Sequence, residues 1–200
     1  TVVIVFASGD QQAVRSELAA SYSTASFRSL SSGLLKAGSP FESESFMSHE
    51  IRWMIRADMP SVLAIEELSF ENPWSEEEFI RTLRGRNVIG MSIENDNCVI
   101  GYVIYEIYEN RLHLLNLAVH PNHRRNGVGK ALIEKLQSKL SVERRNRITC
   151  EVRETNINAQ LFMRSQGFRA ISVLRDFYDD ITEDAYLMQH RVTSNQRVLA

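Results

Sequence analysis

The spacing of apolar and polar residues divides the chain into two unlike parts. From Ile51 onward nearly every stretch carries a clear period, whereas residues 1–48 carry little. "IRWMIR", from Ile51, alternates at a spacing of two and predicts a strand. Asp58 stands where a capping residue would open a helix from Pro60 to about Phe70. Proline is tolerated in that first turn because its missing N–H has no helical partner to lose. Ser75 and Glu78 form an S-x-x-E capping box for a second helix that ends near Gly85. "NVIGMSIE" and "CVIGYVIYEIYE" read as strands joined across Asn95-Asp96-Asn97, a hairpin signal. "RLHLLNLAVH" is almost entirely apolar and predicts a central strand covered on both faces.

The pattern then switches from two to 3.6. Val128, Ala131, Leu132, Leu136 and Leu140 recur on one side of a helix starting near Gly127. Lys130, Glu134, Lys135, Gln137 and Lys139 mostly take the other. "RITCEVRE" is a further strand, with Ile148, Cys150 and Val152 on one face and Thr149, Glu151 and Arg153 on the other. A helix from about Asn158 to Ser165 stops at Gly167. "FRAISVLRD" and "AYLMQHRV" close the series as strands. The order is strand, two helices, three strands, helix, strand, helix, two strands. It predicts an α/β (α+β) domain with a mixed, mostly antiparallel twisted sheet flanked by helices.

Residues 49–192 form that domain, and Met47 looks like its start. Residues 193–200 are a tail. Residues 1–48 are an extension in which 12 positions are serine, a composition that suits a linker more than a core. Within it, Thr1–Phe6 can form a strand and Asp10–Ala20 a helix. Hydrophobic content of 44%, charged content of 24% and a net charge of −2 describe an ordinary globular protein, so any attraction for phosphate must be local. No apolar run is long enough to span a bilayer, and a basic secretory leader is lacking. Cys98 and Cys150 alone make no disulfide scaffold, and a cytoplasmic location is expected. The five histidines show no metal-ligand spacing, and no metal is expected.

One loop carries a chemical signal. "HPNHRRNGVGKALI" leaves an apolar strand and enters a patterned helix. The first turn of a helix exposes N–H groups without helical partners, and the macrodipole adds positive potential there. Gly127 and Gly129 admit a large anion, while Arg124 and Arg125 add charge and paired donors. A solvated turn with arginines facing water is the alternative. The spacing matches neither a Walker loop nor a dinucleotide fingerprint.

"LAVHPNHRRNGVGKALI" resembles motif A of the GNAT superfamily of N-acetyltransferases, whose R/Q-x-x-G-x-G/A loop binds the pyrophosphate of acetyl-CoA. "EVRETNINAQLFMRSQGF" resembles a second segment of that family. "FENPWSEEEF" resembles the F-P-W-S segment of its RimI type, the bacterial ribosomal-protein-alanine N-acetyltransferases. The three occur in the family's order and span about Ile51 to Val192.

The resemblance implies a bulged central strand whose backbone at Leu117, Ala118 and Val119 holds pantetheine and polarises the thioester. It implies that Arg124, Arg125, Asn126, Gly127, Val128, Gly129 and Lys130 hold the pyrophosphate, and that Asn156 bonds the cofactor. Asn156 also suits a helix cap. Glu151 matches the family's base; its plainer reading is a strand glutamate paired with Arg153 or facing solvent. Phe70 and Trp74 line an acceptor pocket or belong to an aromatic core. One departure stands out. The family's general-acid tyrosine is replaced by Met163, and Tyr178 is the candidate substitute. The implied function is acetyl transfer from acetyl-CoA to a protein N-terminal α-amine, with a ribosomal protein as the expected partner and neither DNA nor membrane involved. A small amine or lysine acceptor, and a non-catalytic acyl-CoA or RNA-binding module using Arg144, Arg145 and Arg147, are the alternatives.

Overall fold

The computed structural model describes residues 3–4, 49–178 and 182–192. The expected helix over Asp10–Ala20, most of Thr1–Phe6 and the tail lie outside them. In chain order the elements are β1 (Val3–Ile4), β2 (Glu50–Trp53), α1 (Met59–Glu67), α2 (Glu76–Leu83), β3 (Val88–Asn95), β4 (Cys98–Ile107), β5 (Leu112–Val119), α3 (Val128–Gln137), β6 (Arg147–Arg153), α4 (Ile157–Ser165), β7 (Arg169–Tyr178) and β8 (Glu183–Arg191). The sheet runs β2-β3-β4-β5-β6-β8-β7, with β1 added beside β5. Its only parallel neighbours among the described strands are β5 and β6, which α3 joins. This is the mixed, mostly antiparallel sheet that the periodicity predicts.

Local signals act as expected at several joints. Ser75 Oγ accepts from the Glu78 N–H at 3.3 Å, and Glu78 accepts the Ser75 N–H at 2.8 Å, so the capping box closes. Asp96 and Asn97 both take left-handed backbone (φ 50° and 60°), the geometry that a two-residue hairpin demands. Asp58 departs from expectation, because its carboxylate makes no cap hydrogen bond to α1. It accepts from Arg52 at 2.7 Å, the Ile55 N–H at 2.9 Å and Ser92 at 3.0 Å. A guanidinium within reach outcompetes a neutral amide for a carboxylate. Helix α1 also ends at Glu67, short of Phe70, and Leu140 packs on the core from beyond the end of α3.

Two apolar layers sandwich the sheet. On one side α3 and α4 cover Leu112, Leu114, Leu117, Val119, Ile148, Cys150 and Val152. On the other, α1 and α2 cover Tyr102, Ile104, Leu115 and Ala118. Leu114 and Leu117 share a face although they are three positions apart, which strict alternation forbids. The register explains it: Tyr105 pairs with Leu114 and Ile104 with Asn116, leaving Leu115 as an extra residue. This β-bulge flips the phase of the strand and turns its second half. Strand β6 pairs with β5 only at Leu112–Ile148 and His113–Thr149, and beyond that point the pairing stops. No described helix is long and apolar enough to cross a membrane.

Candidate active site

The loop after β5 enters α3 through left-handed backbone. Gly127 caps α3 at φ 81°, a conformation that side chains with a Cβ disfavour, and Arg125 is also left-handed at φ 68°. Left-handed residues just before a helix start can turn successive N–H groups toward one spot. Beside them lies a groove of about 340 Å³, lined by Val119, Arg124, Arg125, Gly127, Gly129 and Lys130 on one wall. Helix α4 supplies the other wall through Asn158, Leu161, Phe162 and Ser165, none of which the sequence motifs singled out. Leu161 is 56% exposed, an apolar side chain left open on the groove.

Several expected residues sit differently. Val128 is buried in the core, so only its backbone is available to the loop. Gly129 has a packing duty: a Cβ there would meet the Phe162 ring at 3.3 Å, so the glycine lets α3 approach α4. Asn126 is exposed at the loop tip, outside the groove lining, and Asn156 Oδ1 caps α4 by accepting the Ala159 N–H at 3.0 Å. Arg124 is half-buried and turns inward. Its Nε donates to the Val119 carbonyl at 2.8 Å and its Nη2 to Ser69 Oγ at 2.8 Å. Burial lowers its affinity for its proton, and among the described residues no carboxylate pairs with it.

Leu117 and Ala118 are fully buried and their backbone is engaged on both edges. They pair with Val103 and Tyr102 of β4 on one side and with Ile4 and Val3 of β1 on the other. Beyond His113 that second edge of β5 is not taken by β6, and β1 fills part of the opening.

At the vertex where β5 and β6 part, Glu151 faces His113. Glu151 Oε2 lies 3.3 Å from His113 Nε2, and His113 Nδ1 lies 3.0 Å from Thr149 Oγ1. All three residues are buried. The Glu151 contact is an ion-pair distance, and the hydrogen bond between His113 and Thr149 runs in the direction that the ring's tautomer sets. Arg153, the partner in the plainer reading of Glu151, pairs with Glu183 at 2.7 Å and lies over the Tyr178 ring at 3.8 Å. Tyr178 is 1% exposed, and burial, followed by the charge of Glu151, holds its phenol far above the ordinary range. A phenol shifted that way is a weaker acid than usual. Met163 is wholly buried in the α3–α4 layer.

The loop between α1 and α2 is pinned from within. Glu66, 1% exposed, accepts the Trp74 N–H at 3.0 Å and Asn116 Nδ2 at 3.1 Å, and Tyr102 donates its hydroxyl to the same carboxylate. Burial raises the Glu66 carboxyl above its ordinary value despite these donors. Phe70 and Trp74 are core residues here. Trp74 meets Phe79 edge-on at 5.3 Å, and neither Phe70 nor Trp74 is more than 9% exposed. The helical spacing of Glu66 gave no sign of this role, since it reads as one more polar position.

The profile of the acetyltransferase (GNAT) family matches residues 59–168. The ribosomal protein bS18-alanine N-acetyltransferase of Escherichia coli strain K12 is 29% identical over 133 residues, covering 66% of this chain and 89% of that protein. An N-alpha-acetyltransferase of Sulfurisphaera tokodaii is 27% identical over 160 residues, covering 74% and 95%. The crystal structure of the Escherichia coli ribosomal-protein-S18-alanine N-acetyltransferase superposes with a TM-score of 0.66 at 27% identity, covering 76% of this chain and 99% of that one. The bulged strand, the glycine loop and these likenesses agree: the chain belongs to the GNAT family and is an acetyltransferase.

Proposed function

We propose that the protein transfers acetyl from acetyl-CoA to the α-amine of a protein N-terminus, with a ribosomal protein's N-terminal alanine as the expected acceptor and the cytoplasm as its location. The observation that carries this reading is the buried Glu151–His113 pair, 3.3 Å apart, where β5 and β6 separate. The relatives' activities support the choice of acceptor.

When bound, acetyl-CoA supplies an activated thioester. The N–H groups at the start of α3, with Arg125 and Lys130, hold its diphosphate. The β5 edge at Leu117–Val119 offers strand-like hydrogen bonds to the pantetheine amides, and a fixed N–H there stabilises charge growing on the carbonyl oxygen. An amine must be neutral to attack, and a free α-ammonium has a pKa of about 8. Glu151 takes its proton, and His113 holds the carboxylate in line. With Met163 packed in the core, no side chain of α4 protonates the leaving sulfur. A thiol pKa of about 8.5 makes thiolate a tolerable leaving group.

Mass spectrometry of amines incubated with acetyl-CoA and the protein tests the reading. Acetyl on the α-amine of alanine-first peptides is expected; acetyl only on polyamines, aminoglycosides or lysine side chains would overturn it. A second result follows from β1. Pantetheine and Val3–Ile4 compete for one edge of β5. Deleting residues 1–46 is therefore expected to lower the KM for acetyl-CoA several-fold, because a competing conformer reduces apparent affinity by its population. An unchanged KM would mean that β1 does not guard that edge.

A further inference from the structure

We propose that Arg124 and Ser69 form a strut that transmits occupancy of the cofactor loop to the acceptor-side loop, an inference that rests on the reading above of where coenzyme A binds. Arg124 lies in the cofactor loop, at the groove wall. Ser69 lies 55 positions earlier, one residue before Phe70, at the start of the α1–α2 loop. Their 2.8 Å hydrogen bond ties the two loops together, and the Arg124 Nε bond to the Val119 carbonyl anchors the arginine to the end of β5.

The guanidinium has five N–H donors in a rigid fork. Val119 and Ser69 take two of them on one side. The remainder stay available to an anion in the groove, and no described carboxylate competes for them. A diphosphate that fixes one edge of the planar group fixes the other edge as well. Ser69 and the loop behind it are then held more firmly. That loop has its own reporters: the N–H groups of Ser69 and Phe70 donate to the Glu66 carbonyl at 2.9 and 3.0 Å, and that of Trp74 to the Glu66 carboxylate at 3.0 Å. Coupling of this kind makes Ser69 a positioning residue, acting through Arg124 and not on the reacting atoms.

Hydrogen exchange at the Ser69, Phe70 and Trp74 amides tests the strut, with coenzyme A as the probe. Saturating coenzyme A is expected to slow their exchange about 10-fold in the wild-type protein, within the usual range of couplings between sites. Ser69→Ala abolishes the slowing and Ser69→Thr, which keeps the hydroxyl, retains it. Affinity for coenzyme A itself changes by less than about twofold in Ser69→Ala, because the open loop is a minor population and little binding energy goes into closing it. Equal slowing in wild type and Ser69→Ala, or none in wild type with coenzyme A bound, overturns the strut alone. Failure of coenzyme A to bind wild type at all overturns the proposed function beneath it.

Discussion

Replacing Glu151 by Gln is expected to lower kcat about 10²- to 10³-fold, the usual worth of a positioned general base, and to leave the KM for acetyl-CoA within about twofold. Glutamine keeps the shape beside His113, 3.3 Å away, while the capacity to take a proton is lost. The defect has a pH signature. Below a pH of about 8 the amine arrives protonated and needs the base; above it, more of the amine arrives neutral. The ratio of wild-type to variant rates therefore shrinks as pH rises toward 10. A ratio that stays large and flat would show a structural role for Glu151, and an unaltered kcat would remove it from the chemistry.

Replacing Glu66 by Ala is expected to cost about 3 kcal/mol or more, because the Trp74 N–H and Asn116 Nδ2 then stay buried without an acceptor and Tyr102 keeps only Asn116 Oδ1 at 3.4 Å. Domains are stable by about 5–15 kcal/mol, so this is a large share. Glu66→Gln keeps an acceptor and is expected to lose far less. The two variants differ in pH response as well. Burial raises the folded-state pKa of Glu66 above its ordinary 4.5. The folded state then binds the proton more readily than the unfolded state. This group's contribution to stability is full below 4.5 and declines as pH rises through the raised folded value. Glu66→Gln lacks that decline, so the difference in Tm between wild type and Glu66→Gln shifts against wild type as pH rises from 4 to 8. A difference that does not change with pH would mean that Glu66 is not held protonated by burial.

The arrangement divides labour across the sheet. The groove lies on the α3–α4 side, where Gly129 lets the helices close up. Glu151, by strand alternation, points to the side of α1 and α2, opposite Ile148, Cys150 and Val152. Beyond His113 and Thr149 the two strands no longer pair, and β1 takes that edge of β5 at Leu117 and Ala118. Leu115, the extra residue of the bulge, shifts the register of Leu117–Val119 against β4.

Features carried by neighbours in the chain were legible beforehand. The Ser75–Glu78 box, the Asp96-Asn97 turn, the Asn156 cap and the glycine loop all form among residues a few positions apart, so their chemistry is written in short stretches. Period two and period 3.6 likewise separated strand from helix and sorted the faces of β6. Long-range partners were not legible. Glu151 meets His113 from 38 positions away, Arg124 meets Ser69, and Glu66 gathers Trp74, Tyr102 and Asn116. Periodicity says which face a residue takes but not which strand lies beside it, and one bulge inverts the faces that follow. Asp58 was read as a cap for the same reason, and for Phe70 and Trp74 the sequence left pocket and aromatic core both open. The sequence by itself determined the family's loop and the order of elements; tertiary structure alone decided which side chain meets Glu151, because strand order and register, which local pattern does not encode, bring distant side chains together.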